Sequence, residues 1–395
     1  VNYGDRSYLA SNTAVNIYEK IEEDFKFAAE KLPETWPQVG RVNSWAAKSF
    51  LAKTYMFEKK FAEAKALLDD IIANGKTTNN LKYDLVPRYA DNFRNKTRNN
   101  CESVFAIQMS VHDGIYSGLN GNPMAYMNGT YNAPANTGFG WYQPTFDLVD
   151  AFQTDPNTGL PLIDDYYKTP IKTDFGISST DPFTPYEGTL DARLDWCVGR
   201  RGIPYLDWGN HLGKAWVRNQ NNGGPYSSIK HACEKKYVET DRVATNKTNT
   251  PYCPIRFADV LLWAAECEVE VGSLAKAEAY VNRVRERAAN PAGFVKKMKA
   301  DGTFSNTPAA NYKVGLYTGQ FTSKGQDFAR KAVRFERRLE LAMEYHRYYD
   351  MLRYDGNHFD LAEHVNTFLK REGNRLKPLS PNTLYLQGSF VKGKN

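Results

Sequence analysis

The 395-residue chain has little of what marks an enzyme or a membrane span. Its five cysteines, Cys101, Cys197, Cys233, Cys253 and Cys267, are odd in number, widely spaced and free of any C-x-x-C. That excludes a zinc-ribbon or thioredoxin signature and argues against a disulfide framework. They read as small buried hydrophobes. The longest apolar run, Val260 to Ala265, falls far short of the roughly 20 residues a spanning helix needs. Charge of one sign is scarce too. Fifty-one Lys and Arg against 45 Asp and Glu leave +6, with no long basic run, so no nucleic-acid partner is expected. There is no G-x-S-x-G, H-E-x-x-H, Walker loop or dinucleotide fingerprint. The six histidines show no metal spacing: His358 and His364 stand six apart, not at the i,i+4 of a helical zinc clamp. No metal site and no catalytic residue are expected. Val1 opens a polar stretch without the basic and apolar regions of a secretion signal.

What is there is helical periodicity at both ends. Tyr18, Ile21, Phe25, Ala28 and Leu32 recur at three- and four-residue steps, which predicts a helix over 13–32 that Pro33 ends. Two more helices are predicted over 44–58 and 61–73, stopped by Asn74-Gly75. The same hairpin recurs over 259–272 and 274–288 at an offset of 213 residues. Ala52, Ala62, Ala64 and Ala66 then fall on Ala265, Ala275, Ala277 and Ala279. Small residues that let helices approach, with larger ones wedged between, follow tetratricopeptide logic. Two separated copies do not amount to a continuous array. A long charged helix is predicted from Arg330 to Arg353. Its like-charge i,i+4 pairs, Glu336/Glu340 and Arg334/Arg338, point to a buried or interhelical ion network, with a solvated charged face as the alternative.

Residues 111–254 have another texture, rich in Gly, Pro, Asn and Tyr, with a helical pattern only at about Thr145–Phe152. So much irregular chain usually carries function. Aromatics are abundant throughout: 25 Tyr, 21 Phe and 7 Trp. Within this part, Tyr126, Tyr131, Phe139, Trp141 and Tyr142 sit among Gly121, Gly129, Gly138 and Gly140. A second set comprises Tyr205, Trp208, Trp216, Arg218 and Tyr226. Sugars present C–H faces that pack on rings and hydroxyls that pair with Asn, Asp and Arg. Asn128, Asn132, Asn136, Asp207, Asn219 and Gln220 lie nearby. The candidate ligand-binding residues are therefore Tyr126, Tyr131, Trp141, Tyr142, Trp208, Trp216 and Arg218, and the plain alternative is that such rings plug the loops onto the helices. Asp155-Pro156-Asn157-Thr158-Gly159 reads as a turn, with a calcium ion as the minor alternative; no other cofactor is expected. The acid pairs Asp164-Asp165 and Asp191/Asp195 could serve glycosidase chemistry only at a set separation across a bond.

Four segments together resemble the SusD/RagB family, outer-membrane nutrient-binding lipoproteins of Bacteroidetes. They are Ala46–Phe93, Phe139–Phe152 (FGWYQPTFDLVDAF), Asp191–Tyr226 (DARLDWCVGRRGIPYLDW…GKAWVRNQNNGGPY) and Ile255–Tyr354 (including IRFADVLLWAAECE and AVRFERRLELAMEYHRYYDMLRYD). Their order and spacing make the match specific over nearly the whole chain. The resemblance implies a mainly α fold: tetratricopeptide-like hairpins as scaffold, with a large irregular region packed on it. One unit over 1–395 would comprise a helical part (1–110), a loop-rich ligand-binding part (111–254) and a second helical part (255–395). It implies capture of a polysaccharide or oligosaccharide at the cell surface and delivery to a SusC-type TonB-dependent transporter, without catalysis. Family members carry a lipidated Cys and a longer N-terminal helical part ahead of the segment matching Tyr18–Leu32; this sequence shows neither. Leu376–Leu379 (LKPL) loosely resembles the family's closing L-x-P-I-P without its second Pro.

Two other readings stand beside the glycan binder. A tetratricopeptide adaptor would need an open helical groove for a protein tail, which separated hairpins build poorly. A polysaccharide-cleaving enzyme would need paired acids in a cleft, one with a raised pKa. The glycan binder predicts exposed, coplanar rings.

Overall fold

In a computed structural model, residues 16–132 and 138–391 are described. Helix α1 (Ile17–Lys31) starts where the Asn16 side chain accepts from the Tyr18 N–H. The first residues of the predicted helix, 13–15, lie outside the described residues. Asn43 caps α2 (Ser44–Phe57), accepting from Ala46 N at 2.9 Å, while its amide donates to the carbonyls of Glu34 and Lys76. This one side chain fixes both the helix start and the approach of the chain after α3 (Phe61–Asn74).

The middle of the chain carries strand β1 (Ser103–Ile107) and short helices α4 (Met124–Asn128), α5 (Phe146–Asp150), α6 (Leu194–Cys197), α7 (Gln220–Gly223) and α8 (Val238–Asp241). Strands β2 (Val198–Gly199), β3 (Ser227–Ser228) and β4 (Tyr252–Arg256) lie among them. Only α5 matches the periodicity seen in the sequence. The others span four or five residues, too few for a 3.6-residue period to register.

Then come α9 (Phe257–Val271), α10 (Leu274–Ala289), the hairpin β5 (Lys296–Met298) and β6 (Phe304–Pro308), α11 (Gln320–Lys324), α12 (Gln326–Glu340), α13 (Arg347–Tyr354), α14 (Leu361–Leu376) and α15 (Leu384–Gln387).

The two hairpins, distant in sequence, are neighbours in space. Helix α1 packs on α2, α2 on α3, α3 on α9 and α9 on α10, with α12 closing against α9 and α10. The expectation of two isolated copies is thus corrected: they form one continuous stack. The antiparallel pair β1–β4, with Ser103 opposite Arg256, brings them together because β4 runs directly into α9. Ala52, Ala64, Ala265 and Ala277 are fully buried between helices. Ala62, Ala66, Ala275 and Ala279 face outward, so half of the alanine pattern carries the packing. Leu68, Ile71, Leu261, Val281 and Val284 fill the stack, each worth about 1.5–3 kcal/mol of burial. A second core under the loops gathers Phe146, Phe152, Leu190, Leu194 and Leu339, and a small third one gathers Tyr205, Trp216 and Ile229.

The long charged helix is a second correction. It breaks after Glu340, and the chain passes through Met343 (φ 63°) and Tyr345 (φ 69°) before α13. The break turns Glu344 inward, where Arg256 donates to it at 2.8 and 2.9 Å and Lys230 at 2.5 Å. The expected buried network is present. Glu102, Asp191, Glu336, Glu340 and Glu344 interlock with Lys230, Arg193, Arg256, Arg285 and Arg287. Five acids meet five bases, so no net charge is buried. Burial opposes ionisation of Glu344, but Arg256 and Lys230 outweigh it and hold the carboxyl down at about 2.

Candidate ligand surface

Helix α4 and the segment 138–142 form one ledge. Phe139 N donates to Tyr126 O (2.9 Å), Trp141 N to Met127 O (3.1 Å) and Tyr131 N to Trp216 O (3.1 Å). Two glycines permit this approach. A Cβ on Gly138 would stand 2.9 Å from Ala125 O, and Gly140 adopts φ +61° with Arg218 directly beside it.

The ledge displays a chain of rings. Tyr126 meets Phe139 edge-on at 4.8 Å, and Phe139 meets Trp141 at 6.1 Å. Trp141 is 61% exposed, Phe139 38% and Tyr131 36%. The exposed Arg218 sits between Tyr131 and Trp141, its guanidinium 5.2 and 4.5 Å from their ring centres, and donates to Phe139 O at 2.9 Å. The rings are not coplanar as expected. Neighbouring planes cross at 58–60° and make a faceted surface.

Of the predicted residues, the structure thus brings together Tyr126, Tyr131, Trp141 and Arg218. The other three lie elsewhere. Trp216 is buried, its ring against Tyr205 and His211 at 5.9 and 5.3 Å; it supports the ledge from below through its carbonyl. Trp208 is half-buried and donates from Nε1 to Cys233 O at 2.8 Å, so it anchors its loop. Tyr142 turns to the opposite side of the segment from Trp141 and stacks on Tyr345. Phe139 belongs to the surface, and its place in the same Gly-rich stretch was the available signal.

Most polar candidates are engaged locally. Asn128 donates to the Tyr345 hydroxyl (2.6 Å), Asp207 accepts from Lys235 N and Lys236 N, Asn219 caps α7 and Gln220 accepts from Gly176 N. Asn132 is exposed; Asn136 lies outside the described residues. Asp155 accepts from Asn157 N, Thr158 N and the Thr158 hydroxyl, closing its own turn. The acid pairs hold structure: Asp191 binds Arg193, Asp195 binds Arg200 and Tyr312, Asp164 binds Lys331 and Asp165 binds Lys168. Three carboxyls raised by burial, Asp150 and Asp174 to about 6 and Glu372 to about 7, are themselves buried, and two others that burial raises, Glu58 and Asp91, are half-buried. Among the described residues no group of His, Cys, Asp and Glu could hold a metal ion.

A stack of helical hairpins bearing an aromatic ledge on its loops defines a helical scaffold with a loop-borne candidate surface. The SusD family profile matches residues 101–380, and the chain belongs to the SusD family. SusD-like protein P2 of Formosa agariphila is 26% identical over 348 residues, covering 85% of this chain and 55% of its own length. A SusD superfamily protein from Bacteroides vulgatus superposes with a TM-score of 0.62 at 21% identity, over 95% of this chain and 63% of that one. A SusD-like carbohydrate binding protein from Bacteroides fragilis does so with a TM-score of 0.59 at 20% identity, over 89% and 60%. The chain spans little more than half the length of the curated relatives it matches.

Proposed function

We propose that this chain captures a polysaccharide or oligosaccharide on the ledge of Tyr126, Tyr131, Phe139, Trp141 and Arg218, and that it does so without cleaving it. The observation that carries this is the exposure of Tyr131, Phe139 and Trp141 on backbone-paired segments, with the Arg218 guanidinium between Tyr131 and Trp141. Rings offer flat apolar faces to sugar C–H groups, and Arg218 offers donors to their hydroxyls. The carbohydrate-binding relative from Bacteroides fragilis shares the fold and supports the reading. Delivery to a SusC-type TonB-dependent transporter, at the outer membrane and through a lipid-anchored longer form, is the family role this reading carries with it. Among the described residues no helix is long and apolar enough to cross a membrane.

The test is affinity gel electrophoresis against neutral and acidic polysaccharides, with a reducing-end assay alongside. Retardation by a polymer, lost in Trp141→Ala and kept in Trp208→Ala, with no reducing ends released, is the expected result. Retardation unaffected by Trp141→Ala would move the site elsewhere. The continuous helical stack also gives an adaptor reading the surface that separated hairpins lack; that reading predicts capture of a peptide that survives Trp141→Ala.

A further inference from the structure

Behind the ledge, on the Tyr142 side, lies a chamber of about 230 Å³. Its floor and walls come from the 142–148 segment, the α12–α13 connection, α13 and α14. Tyr142, Leu148, Met343, Met351, Val365 and Phe368 make it largely apolar. Four charged partners facing it are already matched. Arg338 is paired with Asp147, and Arg337 with Asp350, which also binds Arg353. Arg347 is the exception. It lines the chamber, is half-buried, and forms no ion pair among the described residues; its Nη2 lies 3.2 Å from His364 Nε2.

A guanidinium cannot shed its charge, and even half-buried it loses part of its hydration without an anion to replace it. Burial and the nearby Arg338 both weigh against the charged form of Arg347. His364, kept neutral because burial, Arg347 and Arg338 push its pKa down to about 4, accepts a hydrogen bond from the guanidinium but supplies no countercharge. The chamber therefore combines a largely apolar body with a guanidinium that no carboxylate pairs directly, since Asp147 and Asp350, which face the same space, are engaged by Arg338 and by Arg337 and Arg353.

We propose that this chamber is a second binding site, distinct from the aromatic ledge, for a small monocarboxylate with a ring-sized apolar body, its carboxylate paired with Arg347. The volume sets the size: a cavity of about 150 Å³ already accepts benzene, and larger, drug-sized ligands need about 300 Å³ or more. The apolar walls argue against a free sugar, whose hydroxyls would find few partners there. The planar guanidinium fork suits a carboxylate held by two parallel bonds. The site does not depend on the glycan reading.

The experiment titrates the purified chain with benzoate, cyclohexanecarboxylate and the neutral isostere benzamide, read by ligand-observed NMR and calorimetry. Both acids are expected to bind, and benzamide at least about tenfold more weakly, the low end for a charge-assisted bond. Arg347→Gln should lower benzoate affinity by the same factor, and Arg347→Lys should recover part of it. Because Arg347 lacks an acidic partner, Arg347→Gln should leave Tm unchanged or raise it, so lost binding would not reflect unfolding. Met351→Trp, which fills the chamber, should abolish binding of both acids. Failure of either acid to bind, equal binding of benzoate and benzamide, or undiminished binding in Arg347→Gln would overturn the proposal.

Discussion

Tyr142 and Tyr345 stack face to face, ring centres 4.7 Å apart and planes 16° from parallel. Tyr142 continues the segment that displays Trp141, whereas Tyr345 sits at φ 69° in the break between α12 and α13. The Tyr345 hydroxyl also accepts from Asn128 at the end of α4 and donates to Met124 Sδ at 3.2 Å. One residue thus holds both ends of the ring-bearing ledge to the helical scaffold, and Glu344 beside it is locked into the buried ion network. Strained backbone kept at such a junction is consistent with a positioning role.

Truncation there should loosen the ledge more than the fold. Tyr345→Ala removes an aromatic pair worth about 0.5–1.5 kcal/mol beyond burial, and Tyr345→Phe removes only the hydroxyl bonds, worth about 1 kcal/mol. Hydrogen exchange should quicken over 124–142 in Tyr345→Ala, less so in Tyr345→Phe, with amides of α9 and α10 unchanged. Uniform quickening across the chain would make Tyr345 an ordinary core residue.

The buried network predicts acid sensitivity. The Glu344 carboxyl is held at about 2 against an ordinary value of 4.5, and Glu340 is also lowered by Arg287, Arg256 and Arg193 despite its burial. A lowered folded-state pKa adds stability above the unfolded value, and that stability drains as pH falls through 4.5 toward 2. Urea unfolding at steps from pH 7 to pH 3 should show a steep loss, flattened in Glu344→Gln. That variant should itself lose about 3–5 kcal/mol at pH 7, because it leaves Arg256 and Lys230 short of an anion.

The network also shows what the sequence could and could not disclose. Glu336, Glu340 and Glu344 stand four apart, so a row of like charges that pairing within the helix explains poorly was visible. Their partners were not: Arg193, Arg256 and Lys230 lie 84 to 147 residues away in the chain. The break after Glu340 left no trace because the stretch Leu341–Arg347 contains neither Gly nor Pro; long-range attraction on Glu344, not local propensity, opens the helix. The helix pairs were legible because each buries a periodic stripe. The ledge was legible in part. Gly138 and Gly140 flagged a displayed loop, but nothing local separates the exposed Trp141 from the buried Trp216, since both follow a glycine within three residues. Burial of a single ring depends on how the loop folds its neighbours over it, here Tyr205 and His211.

Glu372 should act in the opposite direction to Glu344. It accepts from the N–H groups of Phe146 (2.7 Å) and Asp147 (3.1 Å), tying α14 to α5, yet burial pushes its carboxyl up to about 7. A raised folded-state pKa means the stabilising contribution is complete below the unfolded value near 4.5 and is lost as pH rises toward 7. The loss is on the order of 3 kcal/mol. Chemical denaturation between pH 5 and pH 8 should reveal this decline, and Glu372→Gln should flatten it. A decline of equal slope in that variant would assign the titration to Asp150 or Asp174, which rise only to about 6.

Arg218 gives the sharpest test of the ledge, because charge and shape can be separated there. Its guanidinium sits within 5.2 Å of both the Trp141 and Tyr131 ring centres, and its Nη1 donates to Phe139 O. Arg218→Lys keeps the charge but loses the flat fork and the stack; Arg218→Ala loses both. All of these groups are exposed, so neither variant should change stability by more than about 0.5 kcal/mol. For a neutral polysaccharide, both should weaken retardation alike, since ring placement is what matters. For an acidic polymer, Arg218→Lys should retain more binding than Arg218→Ala, and the difference should shrink as ionic strength rises. Trp141→Ala should weaken both polymers by about tenfold, from the loss of one stacked ring at roughly 1 kcal/mol plus its burial. Unchanged binding in Trp141→Ala and Arg218→Ala together would remove the ledge from the site altogether.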